Sequence, residues 1–146
     1  MDLQIRKMTN DDFTNLHRLL SDPQVMKFLE PPFSEDQTSA FLKIAGLSEP
    51  PLIYAVDADG EFIGYVIFHD FDESSIELGW VLYPGCWGRG YASQLTIQMM
   101  ENAKELGKDL MIECAPEQAA TKHIALKHGF VFEGIRDSLE VYRYRY

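Results

Sequence analysis

Residues 84–93, PGCWGRGYAS, contain three glycines, one arginine and one tryptophan. They follow an apolar run at 76–83, IELGWVLY, which is typical of a buried strand. They precede residues 92–106, ASQLTIQMMENAKEL, whose apolar spacing is typical of a helix, and Gly107 is well suited to end that helix. The sequence therefore predicts a strand, a glycine-rich loop and a helix in direct succession.

Such a loop favours binding of an anion. The start of a helix leaves backbone N–H groups without partners, and the helix dipole adds a positive potential there. Gly85, Gly88 and Gly90 allow the backbone to approach a ligand closely, since no Cβ intervenes. Arg89 can add a charge-assisted contact to phosphate. A plainer alternative, a tight turn without a ligand, stays open at this point because glycine is the commonest turn residue.

Two familiar phosphate motifs fit poorly. The Walker pattern GxxxxGK[ST] is absent, and Gly88-x-Gly90-x-x-Ser93 is only a partial dinucleotide fingerprint. A dinucleotide site also needs its glycines near the start of a doubly wound fold, whereas the strands before this loop are expected to be antiparallel. An NAD-dependent oxidoreductase is therefore a remote alternative.

Composition narrows the class of protein. The chain has 146 residues, of which 46% are hydrophobic, and this predicts one domain spanning 1–146 with a real core. The formal net charge of −10 argues against nucleic-acid binding and suits a cationic substrate. Neither a membrane-spanning run nor a signal peptide is recognisable, so we expect a cytoplasmic protein without membrane contacts. Cys86 and Cys114 are expected to be reduced thiols.

Turn and cap residues mark the elements before the loop. A strand is predicted from residue 3, and Asn10 is predicted to cap the helix that follows. Ser34, with Gln37 three residues later, predicts a capping box at the next helix. Asp59 and Gly60 between two β-rich runs predict a hairpin.

The element order predicts the fold class. The order is β-α-α-β-β-β-α-β-α-β-β, with Gly129 ending the last helix. It predicts an α/β (α+β) protein with a mixed, mostly antiparallel sheet of about seven strands and helices on both faces. The last strand carries tyrosines on one side, and this apolar strand is compatible with a homodimer.

At this point the residues resemble the GNAT (Gcn5-related N-acetyltransferase) superfamily. Its acetyl-CoA loop reads Gln/Arg-x-x-Gly-x-Gly/Ala, and the sequence WGRGYA at 87–92 fits the two small positions with Gly90 and Ala92. Trp87 replaces the usual Gln or Arg, and together with IELGWVLYP this looks like the RimJ/RimL-like branch of ribosomal-protein N-terminal acetyltransferases. A second block, at 118–134, has Gln118 at the family's Asn place and Thr121 at its Ser place.

The resemblance implies a set of cofactor-binding residues. The strand before the loop would separate from its neighbour, and its backbone at Val81 and Leu82 would pair with the pantetheine arm of acetyl-CoA, a cosubstrate. The loop and the first helical turn would hold the pyrophosphate, with Gln118 contributing from the second block. The loop residues in this set are Trp87, Gly88, Arg89, Gly90, Tyr91, Ala92 and Ser93.

The resemblance also implies the chemistry. Glu77, on the strand before the loop, is the candidate general base for removing a proton from an acceptor amine. Burial between Ile76 and Leu78 would raise its pKa. Many relatives place a tyrosine acid on the second-block helix, where this chain has Ala125. The thiolate would then leave without a protein acid, or Thr121, the catalytic candidate on that helix, would position a water.

The histidines add no metal site to this interpretation. His123 and His128 have a poor spacing for a metal, and His17 and His69 are expected to be isolated, so no metal is expected.

The function implied is acetyl-CoA-dependent N-acetyl transfer. The acetyl group would move directly to a primary amine of a small molecule, peptide or protein N-terminus, without a covalent enzyme intermediate. A non-catalytic acyl-CoA-binding sensor or interaction module on the same fold is the alternative, and Gln118 and Ala125 favour it.

Overall fold

The computed structural model describes residues 2–146. Within them lie seven strands and five α-helices. Their bounds are β1 Leu3–Arg6, α1 Phe13–Leu20, α2 Pro23–Met26, α3 Glu35–Phe41, β2 Ile53–Ala58, β3 Glu61–Asp70, β4 Ser75–Leu82, α4 Tyr91–Leu106, β5 Asp109–Cys114, α5 Ala119–Lys127, β6 Val131–Arg136 and β7 Leu139–Tyr144. No helix in this part of the chain has the length and apolarity required to span a bilayer.

The strands form one sheet in the order β1-β2-β3-β4-β5-β7-β6. The pairs β1–β2, β2–β3, β5–β7 and β6–β7 are antiparallel, and β4–β5 is parallel. The predicted mixed, mostly antiparallel sheet of seven strands is thus confirmed.

Contacts divide the described residues into two compact units. The first unit comprises residues 2–67 and 80–91, and the second comprises residues 68–79 and 92–146. The single domain expected from chain length stays a prediction.

The core of the first unit is aliphatic and aromatic. Leu16, Leu19 and Leu20 of α1 are fully buried and pack in one cluster with Ala55 of β2 and Tyr65 of β3. Three leucines at helical spacing give α1 one continuous apolar face, and burying each such side chain is worth about 2 kcal/mol. This cluster holds α1 against the unit's strands.

Local signals set the ends of several elements in the first unit. The capping box is confirmed, since Ser34 N–H donates to Gln37 and the Gln37 N–H donates to Ser34 Oγ. The hairpin is also confirmed, with φ of 51° at Asp59 and 85° at Gly60. The predicted cap at Asn10 is wrong. Thr9 takes that role for a short 3₁₀ turn at Asn10–Asp12, because its side chain accepts a hydrogen bond from a backbone N–H of that turn.

In the second unit, the order of the last strands in the sheet differs from their order in the sequence. β7 lies between β5 and β6, pairing with both through the registers Ile112↔Tyr142 and Phe132↔Tyr142. Gly107 and Gly129 follow α4 and α5 with φ of 70° and 90°, as expected for residues that end helices in the left-handed conformation.

Candidate active site

The loop after β4 lies in the first unit and begins with a tight turn. Pro84–Cys86 form a 3₁₀ turn in which the Cys86 N–H donates to the Tyr83 carbonyl and the Trp87 N–H donates to the Pro84 carbonyl. The Trp87 indole Nε1–H donates to the Leu82 carbonyl at 2.9 Å, although 47% of the Trp87 surface is exposed. The turn and the indole therefore fix where the loop leaves the strand.

The next residues leave backbone donors available. Gly88 and Gly90 have φ of 73° and 82°, a conformation that other residues rarely adopt. A Cβ added at either glycine would meet no heavy atom within 4 Å. Among residues 2–146, no acceptor hydrogen-bonds to the backbone N–H groups of Gly88, Arg89 or Gly90. The glycines thus serve the backbone conformation rather than packing, and they leave open space beside three donors, as an anion requires.

The end of β4 is held tightly against β3 within the first unit. Val81 and Leu82 are 9% and 4% exposed. A Cβ on Gly64 would lie 2.1 Å from the Val81 carbonyl oxygen, so this close approach of two strands requires glycine. The Tyr83 N–H donates to the Ile63 carbonyl and continues the contact. Val81 and Leu82 are consequently packed closely against β3.

The first turn of α4 carries a polar cluster that the sequence did not indicate. In the second unit, Ser93 Oγ lies 2.6 Å from His128 Nε2, and Lys127 Nζ donates to Ser93 Oγ at 3.3 Å. Burial lowers the pKa of His128, and the neighbouring Lys127 charge lowers it further. A neutral imidazole can accept a hydrogen bond from the Ser93 hydroxyl, so this hydroxyl is engaged within the protein and only the backbone N–H of Ser93 is left as a donor for an anion.

Glu77 lies where β4 and β5 stop pairing. In the second unit the parallel ladder runs from Ser75↔Asp109 to Glu77↔Met111. Leu78 and Gly79 have no β5 partner among the described residues, although β5 continues to Cys114. The resemblance implied this separation.

The side chains of His69 and Glu113 act electrostatically on the Glu77 carboxyl. His69 Nε2 lies 3.8 Å from Glu77 Oε1, and the two side chains are 26% and 24% exposed. Burial raises the pKa of Glu77, the His69 charge opposes this rise, and the Glu113 carboxylate adds to it. A raised pKa makes a carboxylate a better proton acceptor, which suits a general base.

His69 is therefore not isolated, contrary to the sequence interpretation. The β3–β4 connection is a hairpin in which the Phe71 N–H donates to the Ser75 carbonyl. Counting outward by two residues on each strand puts His69 opposite Glu77. The acidic turn in the sequence contained this information, because the register of a hairpin follows from its turn.

The candidate site residues of the second block lie on α5 and in the turn before it. Gln118 Oε1 accepts a hydrogen bond from the Ala115 N–H at 2.7 Å, so part of this side chain orders the turn after β5. Thr121 is half-buried, and Ala125 is fully buried and provides no proton. The described residues 2–146 contain no group of three or more His, Cys, Asp or Glu placed to hold a metal ion.

Comparison with known proteins places the chain in a family. An acetyltransferase (GNAT) domain model matches residues 2–131. An uncharacterised N-acetyltransferase, YnaD of Bacillus subtilis (strain 168), is 30% identical over 137 residues, which are 90% of this chain and 81% of YnaD.

Solved structures share the fold. A GNAT-family acetyltransferase from Bacillus anthracis superimposes with a TM-score of 0.84 at 25% identity, covering 99% of this chain and 93% of that one. RimL, a ribosomal L7/L12 α-N-protein acetyltransferase solved with coenzyme A, gives a TM-score of 0.83 at 19% identity, covering 97% of this chain and 93% of that one. The RimL likeness concerns the fold and is consistent with the branch that the loop sequence resembles. The chain belongs to the GNAT family of acetyltransferases, and the protein is an acyltransferase.

Proposed function

We propose that the protein transfers an acetyl group from acetyl-CoA directly to a primary amine, with Glu77 as general base. The observation that carries this proposal is the loop after β4, where three successive N–H groups without acceptors among residues 2–146 adjoin open space. That arrangement fits a pyrophosphate, and the family match makes coenzyme A its natural source.

The first unit would supply most of the cofactor contacts. The backbone donors from Gly88 to Gly90 bind the pyrophosphate, Arg89 adds its charge, and Tyr91 begins the helix whose dipole favours an anion. The backbone of Val81 and Leu82 pairs with the pantetheine arm. Trp87 orders the strand end through its bond to the Leu82 carbonyl.

The second unit would supply the base and the remaining contacts. Ala92 and Ser93 contribute N–H groups from the first turn of α4, and Gln118 lies at the start of α5. Acetyl-CoA supplies an activated acetyl group and a thiolate leaving group. Glu77 accepts the proton that the acceptor amine must lose, and a backbone N–H near Val81 or Leu82 stabilises negative charge on the acetyl oxygen. No protein nucleophile is needed, since the amine itself attacks.

The departing thiolate has no obvious proton donor on α5. The position at which relatives often carry tyrosine is the buried Ala125. We infer that the thiolate leaves without a protein acid or that Thr121 orders a water molecule for this step. Ala125 also supports a second candidate function, acyl-CoA binding without transfer.

We propose the charge of the acceptor amine from the net charge of the chain alone. A net charge of −10 favours a cationic amine over an anionic one. A cytoplasmic location and a homodimer remain predictions from the sequence.

Thermal unfolding with acetyl-CoA tests the cofactor proposal. A ligand that binds only the native state adds about 2.7 kcal/mol at 100 times its Kd, which for a chain of this size is about 8 °C in Tm. We expect that shift with acetyl-CoA and none with NADH. Stabilisation by NADH alone, or by neither ligand, would refute the assignment of the loop.

The catalytic part needs its own variant. In a thiol-release assay over a panel of amines, Glu77→Gln should lower kcat, most strongly at low pH, while acetyl-CoA affinity is kept. Glu101→Gln, an exposed position on α4, is the matched control. Acetyl-CoA binding without thiol release from any amine would favour the non-catalytic function.

A further inference from the structure

We propose that His69 is a positioning residue for Glu77, holding one proton jointly with its carboxyl and passing to solvent the proton that Glu77 takes from the acceptor amine. This inference rests on the proposed function. It concerns His69, Asp70, Glu77 and Glu113, all in the second unit.

The first step is proximity. The hairpin that joins β3 to β4 aligns His69 with Glu77 on neighbouring strands, and His69 Nε2 lies 3.8 Å from Glu77 Oε1. This distance is within ion-pair range and leaves room for a small adjustment or a bridging water. The pair is about three-quarters buried, so the interaction is screened less than on an open surface.

The second step fixes which ring nitrogen faces Glu77 with its lone pair. His69 Nδ1 lies 3.0 Å from the Asp70 backbone carbonyl oxygen. A carbonyl oxygen only accepts, so Nδ1 must carry the hydrogen in this contact. Nε2 of the neutral ring is then a bare acceptor 3.8 Å from a carboxyl oxygen. One proton on Nε2 or on Glu77 turns this contact of two acceptors into an attraction, and the geometry therefore favours a one-proton pair.

The surrounding charges determine how that proton is shared. Glu113 lies two residues beyond Met111, the β5 partner of Glu77, and therefore on the same face of the sheet as Glu77. Its carboxylate disfavours a second negative charge on Glu77, and an imidazolium at His69 offsets both. The Asp70 carboxylate is turned to Lys108 at 2.8 Å, so it is already paired.

The third step is the path of the proton. With the shared proton on His69 Nε2, Glu77 is a carboxylate, and the acceptor nitrogen gives its proton to a Glu77 oxygen. The imidazolium, one quarter exposed, releases its Nε2 proton to water, and Glu77 then passes the acceptor's proton to the bare Nε2, which restores the one-proton pair. Each step moves one proton and needs no other reactant.

Two NMR measurements on the intact protein test the pair without any need for an acceptor. ¹⁵N spectra of the histidine rings should show His69 with hydrogen on Nδ1 in its neutral form. In ¹³C titrations of the Glu77 carboxyl, His69→Gln should move the midpoint to higher pH by about one unit, the lower end of the effect of an opposite charge at this range. His123→Gln, an exposed histidine on α5, should not move it.

Clear outcomes overturn the proposal. A neutral His69 with its hydrogen on Nε2 refutes the assignment of Nε2 as the acceptor of the Glu77 proton, and this measurement needs no variant. An unmoved Glu77 titration in both His69→Gln and His69→Asn refutes the coupling, and the second variant covers a failure of the first to fold.

Kinetics then separate this inference from the proposed function. The acid limb of kcat/KM should move to higher pH in His69→Gln, with acetyl-CoA affinity unchanged. A purely structural role would lower the rate equally at all pH values. A wild-type protein that neither binds acetyl-CoA nor releases thiol refutes the proposed function, whereas normal transfer with an unmoved acid limb refutes only the role of His69.

Discussion

Replacing Gly90 by alanine separates the backbone's need for glycine from the ligand's need for it. Gly90 has φ of 82°, and a Cβ there would meet no heavy atom within 4 Å. Gly60, in the β2–β3 hairpin, has φ of 85° and equally open surroundings. The two glycines belong to the same unit and differ by three degrees in φ, so Gly60→Ala is a matched control for Gly90→Ala.

The expected loss of stability is the same for both variants. An L-residue in the left-handed region costs about 1 to 2 kcal/mol, and no clash adds to that cost. For a chain of this size, the corresponding fall in Tm is about 3 to 7 °C. Both variants should therefore fold.

The expected loss of affinity differs. In Gly90→Ala the new methyl group occupies the open space beside the N–H donors of the loop. Displacing a phosphate oxygen from one charge-assisted hydrogen bond costs about 1.5 to 3 kcal/mol, and this weakens acetyl-CoA binding about 10- to 100-fold. Gly60→Ala should bind acetyl-CoA as the wild type does.

Isothermal titration calorimetry with acetyl-CoA measures the affinity of each variant, and thermal unfolding of the free proteins measures its stability. Equal affinity in the two variants would show that the space beside Gly90 is not where the anion binds. A fall of more than about 10 °C in Tm for Gly90→Ala alone would show that Gly90 is needed for packing and not only for its backbone conformation.

Three further substitutions test the first unit. Gly64→Ala should destabilise by about 3 to 5 kcal/mol, the sum of backbone strain at φ of 154° and a clash with the Val81 carbonyl, measured by urea unfolding. Ser34→Ala removes one half of the capping box and should cost about 1 kcal/mol in the same assay. Burial acts to raise the pKa of Asp12, but hydrogen bonds from Arg6 and a backbone N–H outweigh it and lower that pKa. The stabilisation from this carboxylate is therefore present above its ordinary pKa of 3.8 and is lost as pH falls through the lower folded value, so Asp12→Asn should flatten the acid limb of stability against pH.

Each of these three substitutions has a result that would contradict its prediction. If the free energy of unfolding of Gly64→Ala lies within about 1 kcal/mol of the wild-type value, β3 and β4 can separate at little cost. A change of that size is close to what an ordinary surface substitution causes. Unchanged unfolding of Ser34→Ala would show that water replaces the cap. An unaltered acid limb in Asp12→Asn would assign acid unfolding to other carboxylates.

Features that depend on neighbouring residues could be predicted from the sequence. The loop at 84–93, the hairpin at Asp59-Gly60 and the Ser34 capping box each follow from local backbone chemistry. The cap at the first helix was displaced by one residue, because Thr9 and Asn10 are both good caps and only the fold decides between them.

Features that join distant segments could not be read in the same way. The Ser93–His128 contact joins the start of α4 to the end of α5, across 35 residues of sequence. β7 pairs with β5 although α5 and β6 lie between them in the sequence, and no local pattern encodes that pairing. The approach of His69 to Glu77 lies between these cases, since the hairpin register implied it.

The place of β7 between β5 and β6 has a consequence for synthesis on the ribosome. β5 and β6 emerge before β7, yet in the folded sheet they do not pair with each other, and each takes residues 139–144 as its neighbour. Until those residues emerge, one edge of β5 lacks its partner strand, including Leu110 and Ile112, which end up fully buried. A nascent chain halted before residue 139 should therefore be sensitive to proteases and inclined to aggregate, and protection should arrive only when β7 has been added.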